Sequence, residues 1–347
     1  MLILVHPWLI QILSLGFWKN PLKGELSVAD LPCAIQIQGL SKTYKTGFWL
    51  APKVSKALKG LQLDIYENQA FGLMGLNGAG KTTVIKLIMG LLKPTGGNIT
   101  VLGGSVSDRL IRDQMGYLSE LPYFSKQHTG RELLEYFGTL HGLSGKDLRH
   151  RVDEVLELVR MVKQAGERVS GYSKGMMQRI GIGQALIGKP KLLICDEPMS
   201  GLDPVGYKEM RDIFIDLKKS GTTLFLNTHI LDEIERVCDR IGILHEGELK
   251  AVATMTKILE TSVPVDYWID VDSGEAPKFH GLPFQAAVQK NGGVQISGMV
   301  LAETLALMTS RRAKIKGVRP LSSIVEAYFL QTIGAHAHLR APEGSRA

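Results

Sequence analysis

The chain of 347 residues is long enough for two domains, one large and one small. Its composition, with 44% hydrophobic and 22% charged residues, excludes a disordered or fibrous chain. The formal net charge of +7 would suit a nucleic acid or an anionic membrane surface, but it is too small to choose between them. Three cysteines without metal-like spacing predict reduced, buried thiols in a cytosolic compartment.

The first 18 residues are apolar apart from His6, Gln11 and Ser14. A signal peptide would begin with a basic region, which is missing here, and Pro7 interrupts the run too early for a spanning helix. Three interpretations stay open: an unstructured or wrongly assigned extension, a membrane-surface anchor, and a signal. We therefore treat residues 1–34 as an N-terminal extension of uncertain status.

From residue 35 onward, short apolar segments alternate with longer amphipathic segments. AFGLMG and LLICDEP are typical of buried strands, and KTTVIKLIMGLL is typical of a helix. The alternation predicts an α/β fold with a mostly parallel sheet and helices on its faces, over residues 35–254. Within it, about 124–180 is predicted to be a helical insert. A small α+β accessory domain at 255–335 and a tail at 336–347 are predicted to follow.

The stretch MGLNGAGKTT has the sequence of a phosphate-binding loop. Gly75, Gly80, Lys81 and Thr82 fit the G-x-x-x-x-G-K-[ST] spacing, between a predicted strand and a predicted helix. Glycines let the backbone wrap around phosphates, and the N–H groups at a helix start add positive potential. We expect Lys81 to reach the β- and γ-phosphates and the Thr82 hydroxyl to bind Mg²⁺. The predicted nucleotide-binding loop comprises Gly75, Leu76, Asn77, Gly78, Ala79, Gly80, Lys81, Thr82 and Thr83.

The stretch KLLICDEP carries two acids directly after an apolar run. This pattern predicts a buried parallel strand that delivers carboxylates to the ligand side of the sheet. We expect Asp196 to hold Mg²⁺, directly or through water, and Glu197 to polarise the attacking water. Phosphoryl transfer depends mainly on positioning and on charge neutralisation. Lys81 and Glu197 are therefore candidate catalytic residues for the hydrolysis of ATP or GTP.

In their order, these motifs resemble the nucleotide-binding subunit of an ABC transporter, over residues 35–252. The resemblance implies a P-loop NTPase of the ABC type that uses ATP and Mg²⁺ and forms a homodimer around two ATP molecules. The family signature L-S-G-G-Q corresponds here to YSKGM, where Lys174 replaces a glycine and Met176 replaces the glutamine. Ser173 and Gly175 match the signature, and the resemblance implies that they touch the γ-phosphate of an ATP bound by the partner subunit.

Four further residues stand at positions that the family uses. Asp203, in MSGLD, resembles the residue that reaches across to the partner, and His229, in LNTHILDE, resembles the catalytic switch histidine at the γ-phosphate. Tyr44 stands where an aromatic ring stacks on adenine. Glu120 departs from the family, which commonly has a glutamine there, but its anionic oxygen can still bind the metal. The predicted metal ligands are Thr82, Glu120 and Asp196.

The C-terminal stretch LSSIVEAYFLQTIG resembles the extension on ATPase subunits of ABC-2 type exporters. Those subunits are separate chains that pair with membrane proteins. After the first 18 residues, this chain has no run that could span a bilayer. The resemblance therefore implies export through separate transmembrane permease subunits, at the cytoplasmic face of the cell membrane, without a nucleic-acid partner.

Two alternatives from other classes stay open. A non-transport ABC ATPase that acts on nucleic acid or ribosomes would use the same chemistry, but such proteins usually carry a second cassette or long coiled coils, and the sequence has neither pattern. A module that binds ATP without hydrolysing it would be expected to lack Lys81, Asp196 or Glu197, and all three are present.

Overall fold

The computed structural model describes residues 32–46, 53–228, 231–261, 265–271, 287–288, 293–297, 301–311 and 314–334. The strands in this part are, in chain order, β1 (Cys33–Thr46), β2 (Lys53–Tyr66), β3 (Ala70–Met74), β4 (Gly96–Val101), β5 (Gly104–Ser105), β6 (Met115–Leu118), β7 (Leu192–Asp196), β8 (Thr223–Asn227), β9 (Arg240–His245), β10 (Glu248–Thr254), β11 (Asp266–Val271), β12 (Ala287–Val288), β13 (Gly293–Ser297) and β14 (Ile315–Pro320). The helices are α1 (Lys81–Ile88), α2 (Arg109–Arg112), α3 (Gly130–Leu140), α4 (Gly145–Leu158), α5 (Lys174–Leu186), α6 (Pro204–Lys219), α7 (Leu231–Val237), α8 (Met255–Glu260), α9 (Leu301–Ser310) and α10 (Ile324–Thr332).

The central sheet has the strand order β10-β9-β3-β8-β7-β6. Its strands pair in parallel except for β10, which is antiparallel to β9. Every residue of β3, β7 and β8 is buried, as expected for continuous apolar strands covered on both faces. The predicted α/β fold with a mostly parallel sheet is confirmed. Because the strands are parallel, the carboxyl ends of β3, β7 and β8 meet at one edge.

A second sheet, which is antiparallel, contains β1 and β2 together with β4 and β5 in the order β2-β1-β4-β5. We expected only a mostly parallel sheet, and the difference has a physical cause in the side-chain pattern. Along β1, Ile35 and Ile37 are buried while Gln36 and Gln38 are exposed, so one face packs on the core and the other faces solvent. This alternation is typical of a half-exposed antiparallel sheet.

The helical segment between β6 and β7 packs α3, α4 and α5 around a shared apolar core. Leu134, Val155 and Ile180, one from each helix, are fully buried in it. Helix α3 begins with a capping box, in which Thr129 and Glu132 each accept a hydrogen bond from the other's main-chain N–H. Residues 187–191 connect helix α5 to the amino end of β7.

Near the C-terminus, β11 to β14 form a third, antiparallel sheet in the order β12-β13-β11-β14. Met308 of α9 is buried against Ile269 and Ile296 of this sheet. Helix α10 instead buries Val325 and Phe329 in the same apolar cluster as helices α3 to α8. Within the residues that the structure describes, no helix is long and apolar enough to cross a membrane.

Candidate nucleotide site

The predicted phosphate-binding loop joins β3 to α1, as the strand and helix pattern predicted. Gly80 precedes the helix with a φ of 109°, in the region that favours glycine, and a Cβ there would lie 2.6 Å from the main-chain oxygen of Ala57. A Cβ at Gly75 would overlap the main-chain oxygen of Leu244. Only glycines therefore allow the loop to fold this tightly against β2 and β9.

Lys81 points its ammonium group back at the loop. The side chain is buried, and Nζ donates hydrogen bonds to the main-chain oxygens of Gly75 (2.6 Å) and Leu76 (3.4 Å). Burial lowers the pKa of the ammonium group, and the nearby charges of Glu197 and Asp196 oppose this effect. The loop thus holds a cation between its own carbonyls and two carboxylates.

Asp196 and Asn227 end the neighbouring parallel strands β7 and β8 in register. The Asn227 Nδ2 donates a short hydrogen bond to Asp196 Oδ1, while the buried Asn227 Oδ1 has no partner among the described residues. Burial raises the pKa of Asp196; the Asn227 hydrogen bond and Lys81 lower it, whereas Glu197 and Glu120 raise it further. A bound cation would therefore stabilise the ionised Asp196.

Glu197 follows β7 in a strained conformation. Its φ of 49° lies in the left-handed region, which is uncommon for residues other than glycine and is typical of functional sites. The backbone is held there because the Glu197 N–H donates to the main-chain oxygen of Asn227 at 2.8 Å. The turn directs the buried Glu197 into the same cavity as Lys81.

Ten of the predicted site residues line a cavity of about 610 Å³ at the carboxyl edge of the central sheet, whereas Gly75, Ala79 and Tyr44 are not part of the described lining. Its lining from the predicted site comprises Leu76, Asn77, Gly78, Gly80, Lys81, Thr82, Thr83, Glu120, Asp196 and Glu197. Residues that the sequence did not single out also line it, namely Ser55, Lys56, Ala57, Lys59, Asn227, Glu246 and Gly247. The cavity therefore combines a phosphate-binding loop, one buried ammonium group and four carboxylates.

A larger cavity of about 690 Å³ lies between α2 and the connection from α3 to α4. Two ion pairs line it, Arg109 with Asp113 at 3.6 Å and Arg151 with Glu154 at 2.8 Å. It contains neither the phosphate-binding loop nor the strand-end carboxylates. The smaller cavity is therefore the candidate nucleotide site.

The donor set suits Mg²⁺ in the presence of a triphosphate. In the described part of the chain, no three His, Cys, Asp or Glu side chains are arranged to hold a metal by themselves. Mg²⁺ usually needs only one or two carboxylates, because substrate phosphates and water complete its shell. The cavity offers the oxygens of Thr82, Glu120 and Asp196, and the unpartnered Asn227 Oδ1 can accept a hydrogen bond from coordinated water.

Tyr44 lies near the start of α1. Its hydroxyl is 3.5 Å from the Thr83 Oγ1, and the Nζ of Lys42 is 5.4 Å from the ring centroid. Stacking of adenine on Tyr44 stays a prediction.

The signature segment (residues 173–176) lies outside this cavity, since none of its four residues belongs to the lining that the structure describes. Ser173 instead caps α5, with its Oγ accepting from the Met176 N–H at 3.2 Å. Lys174 is exposed, and a Cβ at Gly201 would lie only 2.5 Å from its Nζ. The signature segment therefore adjoins the loop that leads to Asp203, whose Oδ1 caps α6 by accepting from the Gly206 N–H at 2.7 Å.

His229 lies outside the described residues. The sequence interpretation missed Asn227, although its position at the end of the strand TLFLN, beside the acidic strand, was a usable signal. It also missed the contact between Glu120 and Gln178, a residue that follows the signature segment closely in the sequence.

Comparisons with known proteins agree with this geometry. Residues 58–200 match the family described as ABC transporter. An uncharacterised ABC transporter ATP-binding protein of Nostoc sp. is 45% identical over 68% of this chain and 70% of its own length. The bacitracin transport ATP-binding protein BcrA of Bacillus licheniformis is 41% identical over 56% of this chain and 63% of its own length.

Among solved structures, a bacterial ABC transporter cassette described as dimeric is 26% identical to this chain. The match covers 64% of this chain and 98% of that cassette, with a TM-score of 0.58.

Proposed function

The chain belongs to the family of ABC transporter ATP-binding proteins and hydrolyses ATP, and we propose that it acts as a homodimer that drives export through separate transmembrane permease subunits. One observation carries the proposal. The cavity unites the phosphate-binding loop with Asp196 and Glu197, whereas the signature segment of the same chain lies outside it. A second copy, bound head to tail, would bring its Ser173 and Gly175 to the exposed side of the triphosphate.

The predicted site residues and Asn227 have distinct parts in the proposed reaction. The loop N–H groups and Lys81 bind the β- and γ-phosphates, and the N-terminus of α1 adds positive potential. Thr82, Glu120 and Asp196 would hold Mg²⁺, which neutralises phosphate charge when bound. Asn227 orients the Asp196 carboxylate through its amide. Glu197 takes a proton from the attacking water, and His229 is assigned to the γ-phosphate by the family resemblance.

Support for dimerisation comes from the likeness to a dimeric cassette. Support for transport comes from the relative named for bacitracin transport. In the proposed cycle, ATP holds two copies together and hydrolysis separates them, which gives permeases at the cytoplasmic face of the membrane two alternative docking geometries.

The proposal can be tested by purifying tagged Glu197→Gln protein with ATP from membranes of the native organism. We expect a multi-spanning membrane protein to co-purify in stoichiometric amount and, after reconstitution, to change the ATPase rate of the unmodified chain. Recovery of ribosomes or DNA in its place would contradict a transport function and would favour the non-transport alternative.

A further inference from the structure

We propose that Gln178 is a positioning residue that fixes Glu120, and with it the metal side of the ATP site, to the signature helix α5. The inference rests on the proposed function, because it concerns how the cavity binds Mg²⁺ with ATP. It adds a residue that lies outside the cavity lining.

The contact itself is direct. Gln178 lies in the second turn of α5 and is only 1% exposed. Its Nε2 donates a hydrogen bond of 2.7 Å to the main-chain oxygen of Glu120, a residue 58 positions earlier in the chain. The donated bond holds the backbone of the Glu120 loop (residues 119–122) and leaves the Glu120 carboxylate available to the cavity.

A second contact lies one turn further along α5, where Gly181 packs against Leu118 and Pro122 on either side of Glu120 in the sequence. A Cβ at Gly181 would lie 2.6 Å from the Cδ1 of Leu118 and 2.9 Å from the Cγ of Pro122. Glycine therefore lets the helix backbone approach the Glu120 loop closely. Packing at Gly181 keeps the Glu120 loop from moving closer to α5. The Gln178 hydrogen bond fixes the position of Glu120 along the helix axis.

The two ends of this helix segment serve different nucleotides in the proposed dimer. Ser173 caps the start of α5 and would face the ATP of the partner, while Gln178 holds the Glu120 loop of the chain's own site. Less than two helical turns separate the two residues. A shift of α5 on binding the partner's ATP would therefore move Glu120 as well.

We expect loss of the Gln178 amide to cost the fold little stability. Its Oε1 is buried and has no hydrogen-bond partner in the described residues, which is unfavourable. Methionine has a similar length and removes this unsatisfied oxygen together with the donor. Glu120 is exposed, so water can reach the loop after the donor is lost. Gln178→Met therefore separates positioning of Glu120 from folding.

The test measures binding of Mn²⁺, used as an electron paramagnetic resonance probe, to the full chain with a non-hydrolysable ATP analogue. We expect Gln178→Met to weaken Mn²⁺ binding about tenfold, the lower end of effects seen when a residue that orients a metal ligand is changed. Glu120→Ala should weaken it at least as much. The double variant should match Glu120→Ala, because Gln178 acts only through Glu120.

The matched control is Gln184→Met on the same helix, since no hydrogen bond of the described chain joins Gln184 to the Glu120 loop. Its Mn²⁺ affinity and thermal unfolding should equal those of the unmodified chain. Unchanged Mn²⁺ affinity in Gln178→Met, or additive losses in the double variant, would overturn the proposal. Failure of the proposed function has a different signature, because ribosomes or DNA, and not a membrane protein, would then co-purify with the chain.

Discussion

The Nζ of Lys81 donates a hydrogen bond of 2.6 Å to the main-chain oxygen of Gly75, six residues earlier in the same loop. The ammonium group is thus held inside the cavity, although burial lowers its pKa. Because this hydrogen bond already orders the Lys81 side chain, binding of a triphosphate should cost little further side-chain entropy.

Replacing Lys81 by alanine should abolish hydrolysis and weaken ATP binding by roughly 10- to 100-fold, since charge-assisted hydrogen bonds contribute about 1.5–3 kcal/mol. Titration calorimetry with ATP and Mg²⁺ measures the affinity. Lys86→Ala is the control, because Lys86 lies on the same helix with an exposed side chain. Equal ATP affinities for the two variants would remove Lys81 from the phosphate site.

Glu197→Gln should keep the shape of the site and remove the base. We expect ATP to stay bound, a dimer to accumulate, and the hydrolysis rate to fall by about 10²- to 10⁴-fold, the range typical of a general base. Gel filtration with ATP and Mg²⁺ detects the dimer. The exposed Glu157 of α4 provides a control substitution, Glu157→Gln, which should leave the rate unchanged. A normal rate in Glu197→Gln would refute its role as the base.

Heterodimers carrying two tags can show whether the signature segment acts on the partner's ATP. With Lys81→Ala in one subunit and Ser173→Arg in the other, sites shared between subunits would place both lesions in one site and leave the other intact. With both substitutions in one subunit, each lesion would damage a different site. We therefore expect trapped ATP in the first mixture and none in the second, and the reverse result would exclude shared sites.

Asp196→Asn should stabilise the nucleotide-free protein at neutral pH while abolishing hydrolysis. Burial raises the pKa of Asp196 in the folded protein above the ordinary aspartate pKa, because the protonated carboxyl is easier to bury. The contribution of Asp196 to stability is therefore fully present below the ordinary aspartate pKa, and it is lost as the pH rises through the raised pKa. The asparagine variant has no charge to bury and keeps an oxygen for the Asn227 amide. Thermal unfolding without metal should show a higher midpoint temperature for Asp196→Asn than for the unmodified chain at neutral pH. In mild acid the difference between the two midpoints should be smaller.

A lower midpoint for Asp196→Asn at neutral pH would contradict that account. Asp203→Asn is the control, because Asp203 caps α6 at the surface and is not among the cavity-lining residues of the described chain. Its midpoint should not show the same gain.

The parts of the site that the sequence predicted are those with local patterns. Lys81 and Asp196 sit at fixed offsets from a glycine-rich turn and from an apolar strand, so the strand ends place them together once the sheet is parallel. The contact between Gln178 and Glu120 depends on how a helix packs against a loop 58 positions away, and neither residue type predicts it. Glu197 shows a left-handed φ that no sequence pattern specifies.

The antiparallel sheet shows a different reason for incomplete prediction. Ile35 and Ile37 alternate with polar residues, and this alternation predicts a strand. It does not predict which other strand β1 pairs with. Pairing of β1 with β4 joins Ile37 to Ile99, across the whole phosphate-binding loop and α1. Such pairings depend on the apolar core that the antiparallel sheet shares with the central sheet and α1, in which Phe71 and Ile85 are buried.

Helix α10 limits where the protein can be cut or fused. Val325 and Phe329 are buried with Ile234 and Ile258, so a fragment that stops at residue 320 would expose apolar surface on α7 and α8. Burial of one such side chain is worth about 1.5–3 kcal/mol, a sizeable share of the stability of an ordinary domain. An engineer who swaps accessory regions between related ATPases would therefore need to carry α10 with the recipient cassette and place the junctions on either side of it.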